Sequence, residues 1–199
     1  MKKVIFVRHG ETAINKAGLL HEYKDTKTLN DDGIKQIKRT AEELRKYNPE
    51  IICSSDEKRS IESAEIIARA LEKPHKIIKG LEERNWGKFS GKPWSEINRT
   101  ILSKMSIEER YNYVPPQGES WKNFEERLIN ALKEILNSKE NNIIIVTHGG
   151  AIRALMPFLL NVPKEESFKY DPDNASISIF EFDGQKFNQI IYNDTSYIK

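Results

Sequence analysis

The chain has 199 residues, enough for one domain with a sizeable core and too few to require a second. Thirty-two lysines and arginines against thirty aspartates and glutamates leave a formal net charge of +2, and the absence of a concentrated basic tract excludes a dedicated nucleic-acid surface. The single cysteine, Cys53, rules out an internal disulfide. The apolar run after Met1-Lys2-Lys3 stops at Arg8, too short for secretion or a membrane span, so no membrane contact and a cytoplasmic location are expected.

In chain order, Val4 to Val7 form an apolar strand that runs into Arg8, His9 and Gly10, with Asn15 shortly after. Asn30-Asp31-Asp32 then precede Ile34, Ile37, Ala41 and Leu44 at helical spacing. Glu50 to Cys53 and Lys76 to Ile78 are short β-rich runs, separated by a helical stripe of Ile61, Ala64, Ile67, Ala68 and Leu71. Residues 86–114 are the least regular stretch and are expected to form a lid or insertion. Its Trp86, Phe89 and Trp94, with Tyr111 and Tyr113, suit either the entrance for an organic group or plain packing of the lid. Beyond Pro115-Pro116-Gln117-Gly118, Phe124, Leu128, Leu132, Ile135 and Leu136 mark a third helix, and Ile143 to Val146 a strand followed by His148-Gly149. Ile177 and Ile179 alternate with serines, and Asp183-Gly184 separates this run from Phe187 to Tyr192, which reads as a terminal hairpin. The alternation predicts an α/β fold over residues 1–199, a single domain with a mostly parallel sheet and an antiparallel edge.

In such a sheet the carboxyl ends of the parallel strands open on one edge, where ligands bind. His9 and His148 follow two of these ends, Arg59 opens the helix after the Glu50 to Ser55 segment, and Glu83 follows the Lys76 to Ile78 strand. Two imidazoles with arginines suit a phosphate, and Gly10 and Gly149 would let backbone approach it closely. A neutral His9 can attack phosphorus, Arg8 and Arg59 can hold the equatorial oxygens, and a protonated His148 can stabilise developing charge. A carboxylic acid can protonate the leaving alcohol and later take a proton from water. Position alone does not separate Glu83 from Glu82 in that role. The arginines, imidazolium and backbone donors supply the positive charge, so no metal or cofactor is required.

Each residue also has a plainer reading. Arg8 and His9 can cap a helix, His148 can be a structural histidine, and Arg59 can lie on a solvated face among Asp56, Glu57 and Lys58. His21 and His75 lie in turn-rich or charged surroundings and are expected at the surface. Cys53 and Arg59 stand five residues apart, the spacing of a cysteine-dependent phosphatase. The intervening Ser54-Ser55-Asp56-Glu57-Lys58 has no glycine to wrap amides around phosphate, and its two carboxylates would repel a dianion. Cys53 is therefore expected to be a buried, inert thiol.

Arg8-His9-Gly10-Glu11-Thr12 with Asn15 resembles the opening motif of the histidine phosphatase superfamily, phosphoglycerate-mutase-like branch. The resemblance continues through Leu29 to Gln36, Ser54 to Arg59, Leu81 to Gly91, Gly118-Glu119-Ser120, Val146 to Gly149 and Asn174-Ala175-Ser176. It implies a three-layer α/β/α fold, His9 as nucleophile, Glu83 as proton donor, and Arg8, Arg59, His148 and Asn15 as phosphate contacts. The expected activity is a histidine acid-type, metal-independent phosphatase acting on small-molecule phosphate esters through a phosphohistidine. Roughly 65 residues separate Glu83 from His148, without the longer insertion associated with cofactor-dependent mutases, which favours hydrolysis. A cofactor-dependent phosphoglycerate mutase is the alternative, because Glu83-Arg84-Asn85-Trp86-Gly87 is similar to the mutase pattern and Arg84 can hold a substrate carboxylate. An inactive member that only binds a phosphorylated ligand is a third reading. Residues Gly18 to Thr28 depart from the family's usual Gly and Pro pattern, and the sequence carries no sign of oligomeric state.

Overall fold

Val4, Ile5, Phe6 and Val7 are all fully buried, because the strand they build, β1 (Lys2–Arg8), has a strand on each edge and helices on each face. A computed structural model of the chain describes residues 1–198. The remaining strands are β2 (Ile51–Ser54), β3 (His75–Ile77), β4 (Asn142–Thr147), β5 (Ile177–Phe182) and β6 (Phe187–Asp194). They form one sheet in the order β3-β2-β4-β1-β5-β6. β3, β2, β4 and β1 run parallel, whereas β5 lies antiparallel to β1 and β6 antiparallel to β5. The mostly parallel sheet with an antiparallel edge is thus the one the sequence pattern predicts.

Seven α-helices accompany the sheet among the described residues: α1 (Ala13–Lys16), α2 (Asp31–Leu44), α3 (Lys58–Leu71), α4 (Trp94–Thr100), α5 (Ile107–Asn112), α6 (Trp121–Leu136) and α7 (Gly149–Leu160). Successive side chains of a strand point to opposite faces. Val4 and Phe6 accordingly join Phe124 and Leu128 of α6 and Leu155 of α7 in one core. Ile5 and Val7 join Ile37 and Ala41 of α2 and Ala64 and Ile67 of α3 in the other. Three layers follow. Two helix starts read from the sequence are capped: Asn30 accepts from the Gly33 amide at 2.7 Å and Ser120 from the Asn123 amide at 3.0 Å, each worth about 1 kcal/mol.

The α7 helix has no sequence signal of its own. Its residues are apolar on nearly every side, and Ala151, Ile152, Ala154, Leu155 and Met156 are all buried, so no polar face exists to reveal a period. Residues 86–114 hold α4, α5 and short 3-10 turns around a small cluster of their own, Trp86, Phe89, Ile97 and Leu102. This segment is stitched to the loop after α1: Leu20 donates to the Lys92 carbonyl at 2.9 Å, Gly91 to Leu20 at 2.8 Å and Trp94 to Gly18 at 3.0 Å. No helix among the described residues is long and apolar enough to cross a membrane.

Candidate active site

Parallel registration puts the last residues of three strands level: Arg8 pairs with Thr147, and Val146 with Ser54. The next residues, His9, His148 and Ser55, therefore emerge together at the carboxyl edge. The rings of His9 and His148 lie 5.2 Å apart between centroids, and both residues are buried.

His9 is held in one tautomer. Its Nδ1 lies 2.8 Å from the Gly10 carbonyl, which can only accept, so Nδ1 carries the proton and Nε2 the lone pair. Burial above all, then the charges of Arg59, His148, Arg8 and His21, holds this imidazole well below its ordinary range. The ring is neutral and nucleophilic at Nε2. Arg59, fully buried, donates from Nε to that same Nε2 at 3.3 Å, and its two Nη atoms reach Asp25 at 3.4 Å and Glu57 at 3.1 Å. Arg8 donates to the Pro172 carbonyl at 2.6 Å and keeps a buried Nε without a partner.

Glu83, not its neighbour, reaches the cavity. Its two oxygens accept from the backbone amides of Arg84 at 2.8 Å and Gly150 at 2.9 Å. Glu82 instead turns away to Arg127. A Cβ on Gly150 would stand 2.2 Å from Glu83 Oε1, so the second residue of α7 is glycine because a carboxylate occupies the space. Gly10 has a different reason than ligand approach: its Cβ would meet the Gly33 carbonyl at 2.6 Å, where the His9 loop crosses the start of α2.

Arg8, His9, Asn15, Arg59, Glu83 and Arg84 all line one cavity of about 420 Å³. His148 sits one layer back, fully buried, with Nε2 at 2.7 Å from Ser55 Oγ and 2.8 Å from Glu57 Oε2. Asn15 uses its Oδ1 to complete the capping box of α1 with Thr12 and to accept from Asn174 at 3.3 Å. Arg84 is sandwiched by indoles, 4.3 Å above Trp86 and 5.6 Å from Trp121, and donates to the carbonyls of Glu119 and Tyr113. Burial lowers its guanidinium to about 10.

Three expectations need correction, and the two readings left open for the lid aromatics divide among them. Glu57 is not solvated: it is buried, and its carboxylate is taken up by His148, Arg59 and the amides of Lys24 and Glu83. A carboxylate so engaged does not face the ligand as a bare repelling charge. Burial alone would raise its titration, but His148 and Arg59 hold it far below the usual carboxylate range. His21 is not a surface residue, since it lines the cavity with its ring 6.0 Å from that of His9, Nδ1 on Asp25 at 2.7 Å and Nε2 on Thr12 at 3.0 Å. His75 is half-buried and bonded to Ser54 at 2.8 Å. Of the five lid aromatics only Trp86 and Trp94 line the cavity; Phe89 stacks on Tyr113, and Tyr111 bonds Glu125.

Cys53 behaves as expected. Its side chain lies in the core beneath α6 and α7, and burial pushes the thiol up to about 11. Trp121, Asn174 and Arg153 also line the cavity. Asn174 falls in a stretch of the family resemblance without a role assigned to it, whereas Trp121 and Arg153 had no signal, because each belongs to a helix whose exposed and buried faces look ordinary in one dimension. Nor does anything in Ser55-Asp56-Glu57 distinguish the buried acid from Asp56, which pairs with Lys24 at 3.1 Å.

Residues 4–195 match the family model of the histidine phosphatase superfamily (branch 1). The chain belongs to that superfamily. Among curated relatives, the metal-independent phosphoserine phosphatase of Arabidopsis thaliana is 30% identical, over 98% of this chain and 83% of its own. The 2,3-bisphosphoglycerate-dependent phosphoglycerate mutase of Cytophaga hutchinsonii is also 30% identical, over 100% and 94%. Among solved structures, Bacillus stearothermophilus YhfR superposes with a TM-score of 0.88 at 25% identity, covering 100% of both chains. This histidine phosphatase is thus equally near, by identity, to a named hydrolase and a named mutase.

Proposed function

We propose that the protein hydrolyses small phosphomonoesters without a metal, through a phosphohistidine at His9. The observation that carries this reading is the pinned tautomer of His9, which presents a neutral Nε2 beside Arg59 in a cavity that also holds Glu83. In the first step Nε2 forms a bond to phosphorus while the P–O ester bond breaks, and Glu83 gives its proton to the departing alcohol. In the second, water attacks the phosphohistidine, Glu83 takes back a proton, and the N–P bond breaks to release inorganic phosphate and neutral His9. Arg8, Arg59 and Asn15 bind the phosphoryl oxygens, and His148 stabilises the charge that develops on them.

The cavity has more room than a phosphate needs, and indoles of Trp86, Trp94 and Trp121 with Arg84 line the remainder. A small organic acid phosphate fits this chemistry: the indoles take carbon, and Arg84 takes a carboxylate. Arg84 and the mutase relatives also favour a second reading, in which a hydroxyl of the bound acid, not water, accepts the phosphoryl group. Because His9 stays unprotonated below the ordinary imidazole range, activity extends from neutral into acid pH, and the acid limb of kcat/KM lies below about 6.5.

Turnover of p-nitrophenyl phosphate with EDTA present, in wild type and His9→Ala, tests the reading. Full activity with EDTA and none in the variant is expected; an equally active variant, or loss on chelation, overturns it. Phosphoserine release and 3-phosphoglycerate turnover, with and without 2,3-bisphosphoglycerate, decide between acceptors. Cofactor-stimulated formation of 2-phosphoglycerate would establish the mutase.

A further inference from the structure

Glu57 is a buried ionisable group that the mechanism above does not use and that touches its residues. It precedes α3 without capping it, and its Oε2 is within hydrogen-bond distance of three donors from separate parts of the fold. These are His148 Nε2 at 2.8 Å, the Glu83 amide at 2.9 Å and Arg59 Nη2 at 3.1 Å. Its Oε1 accepts from the Lys24 amide at 3.2 Å. Both Glu57 and His148 have side chains wholly removed from solvent.

An ionised carboxylate oxygen 2.8 Å from a ring nitrogen can only be met by an N–H, since a lone pair there would repel it. His148 Nε2 therefore carries a proton, shared between Glu57 Oε2 and Ser55 Oγ, which lies 2.7 Å from the same nitrogen and accepts from it. Its Nδ1 is buried and has no partner among protein atoms, and the ring stands at 60° to that of His9. With Nε2 committed, Nδ1 is the only position left for a ligand. In the neutral ring it would offer a lone pair, which repels phosphoryl oxygens; with a second proton it donates to them. A fixed negative charge on the far side of the ring favours that second proton, as a carboxylate behind a histidine does elsewhere.

We propose that Glu57 is a positioning residue for phosphoryl transfer: its carboxylate fixes the tautomer and orientation of His148 and keeps Nδ1 a donor to the phosphoryl group on His9. This rests on the phosphatase reading of the cavity. The other charged or titratable groups around His148 are His9 and Arg8 at the end of β1, Arg59 on α3, His21 in the loop after α1 and Glu83 after β3; of these, Arg59 and the Glu83 amide also contact Glu57, and the accepting oxygen of a glutamine keeps a partner for them. The direction in which Glu57 itself titrates, far below its usual range, agrees with a permanently charged partner.

The test is a double-mutant cycle of Glu57→Gln and His148→Gln, with kcat and KM followed across pH. Gln keeps the size and an accepting oxygen but removes the charge. Glu57→Gln is expected to lower kcat by about 10- to 100-fold, the range typical when the carboxylate that orients a metal-ligating histidine is removed. KM should move less than threefold, and the alkaline limb of the kcat profile should shift to lower pH. In the His148→Gln background the same change should cost almost nothing further. Equal losses in both backgrounds, or a Glu57→Gln enzyme with unaltered kcat and profile, would overturn the assignment. A second measurement needs no turnover: nitrogen NMR of the His148 ring with vanadate bound. Wild type should show both ring nitrogens protonated and Glu57→Gln only one; an identical signal in the two proteins also overturns it. Should His9→Ala retain full activity, the phosphatase reading fails separately, and the NMR arm still decides what Glu57 does to His148.

Discussion

The two ends of the cavity are built differently. At the inner end, His9, Arg59 and His148 leave the ends of central strands or the first turn of a core helix, all are buried, and backbone or carboxylate partners fix them. At the outer end, Trp86 and Trp94 belong to short helical pieces with a four-residue buried cluster, tied to residues 18–20 by backbone hydrogen bonds. There Arg153 pairs with Asp171, whose side chain is 82% exposed, a pair worth little in water. The difference teaches where each property resides. In the proposed reaction the chemistry falls to groups that cannot move without disturbing the sheet, and substrate choice to groups whose packing is local.

That contrast can be broken at several points. Replacing Glu83 with Gln removes the proposed proton donor and leaves its shape, and kcat/KM for an alkyl phosphate should fall by about a hundredfold to ten-thousandfold. The loss in kcat/KM, which reports phosphorylation of His9 and not the shared hydrolysis step, should be much smaller for p-nitrophenyl phosphate, whose leaving group needs no proton; equal losses in kcat/KM for both esters would remove Glu83 from the donor role. Gly150→Ala puts a methyl 2.2 Å from Glu83 Oε1, and a misplacement of this size should lower kcat by about a hundredfold with the fold intact by circular dichroism. An unimpaired Gly150→Ala enzyme would mean that the inner end is less rigid than described.

The outer end should respond in KM. Trp94→Ala, which removes an indole from the cavity wall, is expected to raise KM several-fold for an ester with a bulky organic part and to leave inorganic phosphate inhibition unchanged. A fall in kcat alone would place Trp94 in the reaction instead. Cys53→Ser should alter neither constant, because the thiol lies in the core under α6 and α7. A hydroxyl without a partner there should cost about 1–3 kcal/mol of stability in a urea titration. Loss of activity from a folded Cys53→Ser protein would revive the cysteine-dependent reading.

Much of the inner end was legible in one dimension. His9 and His148 each follow an apolar run, and in a parallel sheet that position alone aims them at one edge. Glu57 was not legible, because a charged residue beside Asp56 and Lys58 reads as solvated until the chain turns it inward. His21 was missed for the same reason: its loop has turn composition, and only its closure over Thr12 and Asp25 brings the ring beside His9. The lid aromatics divided into two that line the cavity and three that pack, a distinction of direction that hydrophobicity does not encode.

The sequence by itself determined the sheet, the helices α2, α3 and α6 and the candidate site residues carried by the motif, since strand period, helix period and motif order are local properties carried along the chain. Tertiary structure alone decided which nitrogen of His9 is free, that Glu83 meets the Gly150 amide while Glu82 turns to Arg127, and that a carboxylate stands behind His148. The first depends on the turn that sets the Gly10 carbonyl against the ring, and the other two on contacts between residues tens of positions apart, made only once the sheet has formed and water has been excluded from its edge.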